Sequence, residues 1–138
     1  MQFILPGNPV PKHRPRFSRT HACGTGHAYS DQSQEMAHLA LLVRSQCGLV
    51  NPLTCPVSVK ALFYMPIPKS LSNKRRLSLE GTPHYKRGDI DNFIKLALDV
   101  LVKAGNIIKD DSLVVEIHAL KLYSQKPRTE IAIKEFIL

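Results

Sequence analysis

Apolar and polar positions in this 138-residue chain change period several times, and each change marks an element. Gln2 to Leu5 is a short extended run closed by the turn pair Pro6-Gly7. Met36, Leu39, Ala40, Leu42 and Val43 recur at three- and four-residue spacing, which predicts a helix from Asp31 to Cys47. Ser30 or Asp31 is suited to cap it, Glu35 favours its first turn, and Gly48 is a stop. Pro56 to Met65 reads as a strand with Val57, Val59, Ala61 and Phe63 on one face and the partly apolar Leu62 and Tyr64 on the other. Pro66 and Pro68 end it. Ser70 to Leu79 suits a short basic helix, broken by Gly81-Thr82-Pro83.

A second amphipathic helix is expected from Asp91 or Asn92, both good caps, through Phe93, Ile94, Ala97, Leu98 and Leu101 to Ala104, where Gly105 closes it. Asp99 and Lys103 have the spacing of an ion pair on its outer face. Leu113 to Tyr123 and Thr129 to Ile137 predict two strands, joined as an antiparallel hairpin by a loop of about five residues. Near the start, prolines 9, 11 and 15 bias residues 8–17 to an extended arm carrying Lys12, Arg14 and Arg16 at every second position, so that their heads share one side. Residues 18–29 read as a polar loop.

These elements fit one domain over residues 1–138. No apolar run approaches the ~20 residues that cross a bilayer. The opening residues lack the basic and long apolar regions of a secretory signal, so a reducing cytoplasm is the expected location. Three irregularly spaced cysteines, Cys23, Cys47 and Cys55, are then expected as free thiols. His21, Cys23 and His27 share a segment but have no fourth ligand at zinc-finger spacing.

Charge changes the picture. The chain carries a formal +8, yet five of its six aspartates lie between residues 89 and 111. Residues 1–88 hold 12 Lys/Arg against 3 Asp/Glu, and residues 89–138 hold 7 against 8. A basic body favours phosphate backbones through counterion release. An acidic knot inside it suits a divalent cation. Asp89 and Asp91, at the end of an extended segment, face one side. Lys95 lies one helical turn beyond Asp91, and Asp110-Asp111 return at the mouth of the last strand pair. Carboxylates converging there would repel one another unless they share a hard cation such as Mg²⁺, which can activate water or stabilise charge developing on a phosphate. Helix capping by Asp91-Asn92 and an ordinary turn at Asp110-Asp111-Ser112 explain each segment separately, but not why both flank one helix in a basic chain.

Gly88-Asp89-Ile90-Asp91-Asn92-Phe93-Ile94-Lys95, the helix end Lys103-Ala104-Gly105, and Lys109-Asp110-Asp111-Ser112-Leu113-Val114-Val115-Glu116 resemble the RusA family of Holliday junction resolvases. Gly7 to Phe17 and the basic stretch Lys69 to Arg76 resemble it as well, so the likeness covers most of the chain. It implies an α+β fold, a small mixed or antiparallel sheet packed with two main helices. It also implies a dimeric, Mg²⁺-dependent endonuclease of phages, prophages and bacteria, with Mn²⁺ able to substitute. By position, Asp89, Asp91 and Asp111 correspond to the catalytic, metal-holding aspartates and Lys95 to the motif lysine. Asp110 is an alternative or outer ligand, and Glu116 matches a frequently acidic position. Gly88 stands where some members carry a basic residue or proline, and Lys86 or Arg87 is the expected substitute for that charge.

The expected partner is branched DNA, four-way junctions above all, cut by a homodimer whose two sites give two symmetric cuts. Lys12, Arg14, Arg16, Lys74, Arg75, Arg76, Lys86 and Arg87 are the candidate phosphate contacts. Two other classes are weighed against this one. A non-catalytic DNA-binding or replication-accessory protein is opposed by the intact Asp89, Asp91, Lys95 and Asp111. A hydrolase of small phosphorylated substrates is opposed by the extent of the basic surface.

Overall fold

The computed structural model describes residues 1–14, 16–19, 26–29, 32–48 and 50–138, with only the strand path given for 16–19 and 26–29. It is an α+β fold. Strands β1 (Gln2–Pro6), β4 (Val57–Pro66), β5 (Val114–Ser124) and β6 (Arg128–Glu135) form a mixed sheet in the order β1-β6-β4-β5. Strands β2 (Arg16–Arg19) and β3 (Gly26–Tyr29) pair antiparallel as a separate ribbon, so part of the expected 18–29 loop is strand. The helices are α1 (Ser33–Cys47), the short α2 (Asn73–Leu79) and α3 (Ile90–Ala104).

The core follows the apolar periodicity. Met36, Ala40 and Val43 of α1 and Phe93, Leu96, Ala97, Val100, Leu101 and Ala104 of α3 are buried with alternate residues of β4 (Val57, Val59, Ala61, Phe63, Met65). Phe3, Leu5, Ile131 and Ile133 extend the layer through β1 and β6. Phe63 and Phe93 join strand to helix, their ring centres 5.4 Å apart. Burying each such side chain contributes about 1.5–3 kcal/mol, which is why these positions, and not the charged ones, choose the orientation of the helices.

One expectation fails at the sheet. β5 and β6 do not form a hairpin. β4 lies between them, parallel to β5 and antiparallel to β6. Only residues 125–127 separate the two strands, so this connection passes the end of β4. The physical reason lies in β4 itself, which is apolar on one face and partly so on the other, and is best satisfied with a neighbour on each edge. The long β4-α3-β5 connection is a crossover of the kind that parallel neighbours require. Ser124 Oγ and Gln125 N both donate to the Glu80 carboxylate, at 2.8 and 2.7 Å, and hold the turn between β5 and β6.

Helix ends also depart from expectation. Ser30 and Asp31 lie outside the described residues, and Gln32 stands at the start of α1 without capping it. Its side chain instead pins the N-terminal arm, donating to Pro11 O at 2.8 Å and accepting from His13 N at 2.6 Å. Ser72 caps α2 by accepting from Arg75 N at 3.4 Å. The cap of α3 falls two to three residues earlier than expected, at Asp89 rather than Asp91 or Asn92. Gly105 ends it in the left-handed conformation, φ 79°. Among the described residues no helix is long and apolar enough to cross a membrane.

Candidate active site

The acidic residues are distributed around the start of α3 and the 3-10 turn Asp111–Leu113 that leads into β5. Asp89 is extended (φ −78°, ψ 131°), and its carbonyl accepts from Asn92 N at 3.1 Å and Phe93 N at 3.4 Å. Asp91 is in the first helical turn. The two carboxylates are therefore presented by a helix start and not by a strand. Both residues are exposed, and neither side chain has a hydrogen-bond or ion-pair partner among the described residues.

One turn further along, Lys95 joins the second acidic segment. Its ammonium lies 3.1 Å from Asp111 Oδ2 and 3.2 Å from Asp99 Oδ1. The bond from Asp111, then those from Asp99, raise the Lys95 pKa above its ordinary value. Asp110 plays a different part. Its carboxylate accepts from Ser112 N at 2.9 Å and caps the 3-10 turn, and the hydrogen bonds from the Ser112 side chain and backbone hold its pKa below the usual range. Of the adjacent pair, Asp111 is thus the one turned to α3. Glu116 accepts from Ser58 Oγ on the neighbouring strand β4.

The oxygen donors here suit a hard divalent cation in chemical type, and among the described residues no group pairs with Asp89 or Asp91. Asp111 is already paired with Lys95. Among the described residues no three His, Cys, Asp or Glu side chains gather as a ready ligand shell.

Several site neighbours were not singled out from sequence. An open groove beside Asp89 and Asp91 is lined by His84, Tyr85, Leu120 and Lys121. Lys121, on β5, donates to the carbonyl of Gly88 and, at 3.4 Å, to that of Lys86. This ammonium, rather than those of Lys86 or Arg87, is the cation held against Gly88. Gly88 has φ +113°, and a Cβ there would meet Phe93 Cε2 at 3.0 Å, so the backbone and the space at this position both favour glycine. His84 N donates to Lys121 O at 2.9 Å, and the imidazole packs edge-on against Tyr123, 4.6 Å between centres. Burial, then the nearby Lys121 charge, lower the His84 pKa. The sequence signal for Lys121 was a lone lysine in the otherwise apolar run Ala119 to Tyr123.

The expected Asp99–Lys103 pair is replaced. Asp99 accepts from Lys95 and from Lys12, whose Nζ lies 3.0 Å from Oδ2. Lys12 N also donates to Asn92 O at 2.9 Å, so the arm is strapped along α3 and this lysine is turned to the protein. Arg14 is exposed, whereas the Arg16 side chain and the segment with His21 and Cys23 lie outside the described residues, as does the His27 side chain. Lys74 and Arg75 are exposed on α2, and Arg76 is half-buried. Lys86 sits over the Tyr85 ring at 4.9 Å, with Arg87 exposed beside it.

The family model described as endodeoxyribonuclease RusA matches residues 6–134. The uncharacterized protein YqaN of Bacillus subtilis (strain 168) is 34% identical over 140 residues, covering 98% of this chain and 96% of that protein. The crossover junction endodeoxyribonuclease RusA of Aquifex aeolicus (strain VF5) is 46% identical over 39 residues, 28% of this chain and 30% of that one. With the family model spanning nearly its whole length, this chain belongs to the RusA endodeoxyribonuclease family.

Proposed function

We propose that this protein is a Mg²⁺-dependent, structure-selective DNA endonuclease that resolves Holliday junctions by paired symmetric cleavage, in recombination and repair in the bacterial cytoplasm. The observation that carries the reading is the pair of carboxylates Asp89 and Asp91, unpartnered among the described residues, with Asp91 one helical turn from the Lys95–Asp111 ion pair in a chain of formal charge +8. Family membership supports the reaction class.

Asp89 and Asp91, with Asp111 and the adjacent Asp110, would hold the cation, and Mn²⁺ would substitute for Mg²⁺. When bound, the ion supplies charge stabilisation at the phosphate and a lowered pKa for an attacking water. Lys95 keeps Asp111 in place and adds a positive charge where negative charge develops. Lys121 fixes the turn that delivers Asp89. Arg14, Arg16, Lys74, Arg75, Arg76, Lys86 and Arg87 take the DNA backbone, each through charge and not base identity. Two copies act together, one for each cut.

The test is cleavage of a synthetic four-way junction with Mg²⁺ and with EDTA, beside linear duplex and flap controls. Metal-dependent symmetric nicks confined to the junction are expected. Asp91→Asn is expected to abolish cutting and leave junction binding intact. Equal cutting of all substrates removes the junction assignment. Tight binding without cutting leaves a DNA-binding accessory protein.

A further inference from the structure

Asp99 lies on α3 one helical turn beyond Lys95, further along the helix from Asp89 and Asp91. Each of its carboxylate oxygens meets a different lysine. Oδ1 lies 3.2 Å from Lys95 Nζ and Oδ2 lies 3.0 Å from Lys12 Nζ. Lys95 Nζ in turn lies 3.1 Å from Asp111 Oδ2. Four charges of alternating sign, Lys12, Asp99, Lys95 and Asp111, therefore run from the N-terminal arm across α3 to the 3-10 turn.

The arm end of this series is firmly set. Lys12 N donates to Asn92 O at 2.9 Å, and Gln32 grips the residue on either side of Lys12 through Pro11 O and His13 N. The Lys12 ammonium also lies 3.4 Å from Met36 Sδ in α1. With Oδ2 taken by Lys12, Asp99 keeps Oδ1 for Lys95. The Asp99 side chain is 22% exposed against 42% for Asp111, so its attraction for the ammonium is the less screened of the two.

Helix stability does not select this pairing. An acidic residue four positions before a lysine supports a helix better than the reverse order, and Lys103 stands four positions after Asp99. Asp99 pairs instead with the lysine that precedes it. Exposed pairs of this kind add only about 0–1 kcal/mol to a fold. What the arrangement does fix is the place of one ammonium. Lys95 carries a point charge on a flexible four-carbon stem, and its side chain is 54% exposed. Asp111 alone would give it a single hold, and Asp99 gives it a second. An ammonium has three N–H donors. Among the described residues Asp111 and Asp99 engage two of them, which leaves one for an oxygen of a bound phosphate.

We infer that Asp99 is a positioning residue of the site. It acts through Lys95, holding that ammonium where negative charge develops on the scissile phosphate, and Lys12 holds Asp99 in turn. The inference rests on the proposed function, whose phosphodiester cleavage is the reaction that Lys95 serves.

Asp99→Ala removes the second hold and keeps a good helix former. Single-turnover cutting of a four-way junction is expected to fall about tenfold, as for a charge displaced by a fraction of an ångström. Junction affinity and melting temperature are expected to change little, and Asp99→Glu is expected to keep most of the rate. In a Lys95→Met background Asp99→Ala is expected to slow cutting no further, because a residue that acts only through Lys95 then has nothing to position. A wild-type rate in Asp99→Ala, or a separate tenfold loss in the Lys95→Met background, would overturn the proposal. A second readout needs no cleavage. In the full chain carrying isotope-labelled lysine, without DNA or metal, the Lys95 ammonium resonance is assigned by its loss in Lys95→Met. Its proton exchange with water is expected to speed up in Asp99→Ala, and unchanged exchange would overturn the proposal even where the wild type cuts junctions. A wild type that cuts no junction would overturn the proposed function and the catalytic part of this inference with it, while the exchange rate still decides whether Asp99 holds Lys95.

Discussion

The Lys121 ammonium donates to the Gly88 carbonyl, tying the middle of β5 to the residue before the first aspartate of the site. A side chain at Gly88 would run into Phe93, which is 2% exposed and packed on Phe63. Gly88→Ala introduces a Cβ 3.0 Å from Phe93 Cε2 at φ +113°. The expected cost is about 1–3 kcal/mol of stability, read by urea denaturation, together with slower cutting. Lys121→Met keeps the glycine geometry and removes the donor. It is expected to leave the melting temperature nearly unchanged while amide exchange at residues 86–89 speeds up. Unchanged exchange there would show that Lys121 does not hold the turn.

Lys95 stands between two carboxylates, and its pKa is raised. A base with a raised folded pKa contributes its stability fully below the unfolded value of 10.5 and loses it only as pH climbs through the higher folded value. Lys95 is therefore charged throughout the neutral range, and no limb of the cleavage profile near neutrality is expected to belong to it. Lys95→Met is expected to lower the single-turnover cutting rate about 10²-fold while changing junction affinity little. An equal loss of affinity would assign Lys95 to DNA binding instead.

The basic residues are not equivalent. Lys12 is committed to Asp99 at 3.0 Å, whereas Lys74 and Arg75 are exposed. Junction affinity measured across a salt series is expected to lose about one unit of slope with Lys74→Ala or Arg75→Ala, as for a lost phosphate contact. Lys12→Ala is expected to leave the slope nearly unchanged and to lower stability modestly. A full unit lost with Lys12→Ala would mean that the lysine leaves Asp99 for DNA.

His84 has a pKa below its ordinary 6.5, through burial and then the Lys121 charge. The folded protein thus resists protonation that the unfolded chain accepts. The resulting stability is fully present above pH 6.5 and is lost as pH falls from there through the folded value. His84→Phe keeps a ring against Tyr123 and removes the titration. The wild-type melting temperature is expected to fall more than that of the variant on moving from about pH 7 to about pH 5. Parallel curves would exclude His84 as a source of acid sensitivity.

Local chemistry was legible in the chain because it depends on residues close in sequence. Apolar spacing identified α1, α3 and β4, proline and glycine marked their ends, and the clustering of aspartates from 89 to 111 marked the candidate site. The choice between hairpin and crossover for β5 and β6 was not legible, since both arrangements show the same alternating pattern and the same short connection. It was decided by β4, whose two edges are filled by strands from far along the chain. The partner of Asp99 was likewise a tertiary matter. Lys103 has the right spacing, but Lys12 is brought in from the arm by its backbone bond to Asn92 and by Gln32, and Lys95 shares the same carboxylate. Which charges exist, and which elements carry them, follows from residue order alone. Packing of the helices on one sheet face decided which of those charges meet, because a buried apolar contact outweighs an exposed ion pair worth about 0–1 kcal/mol.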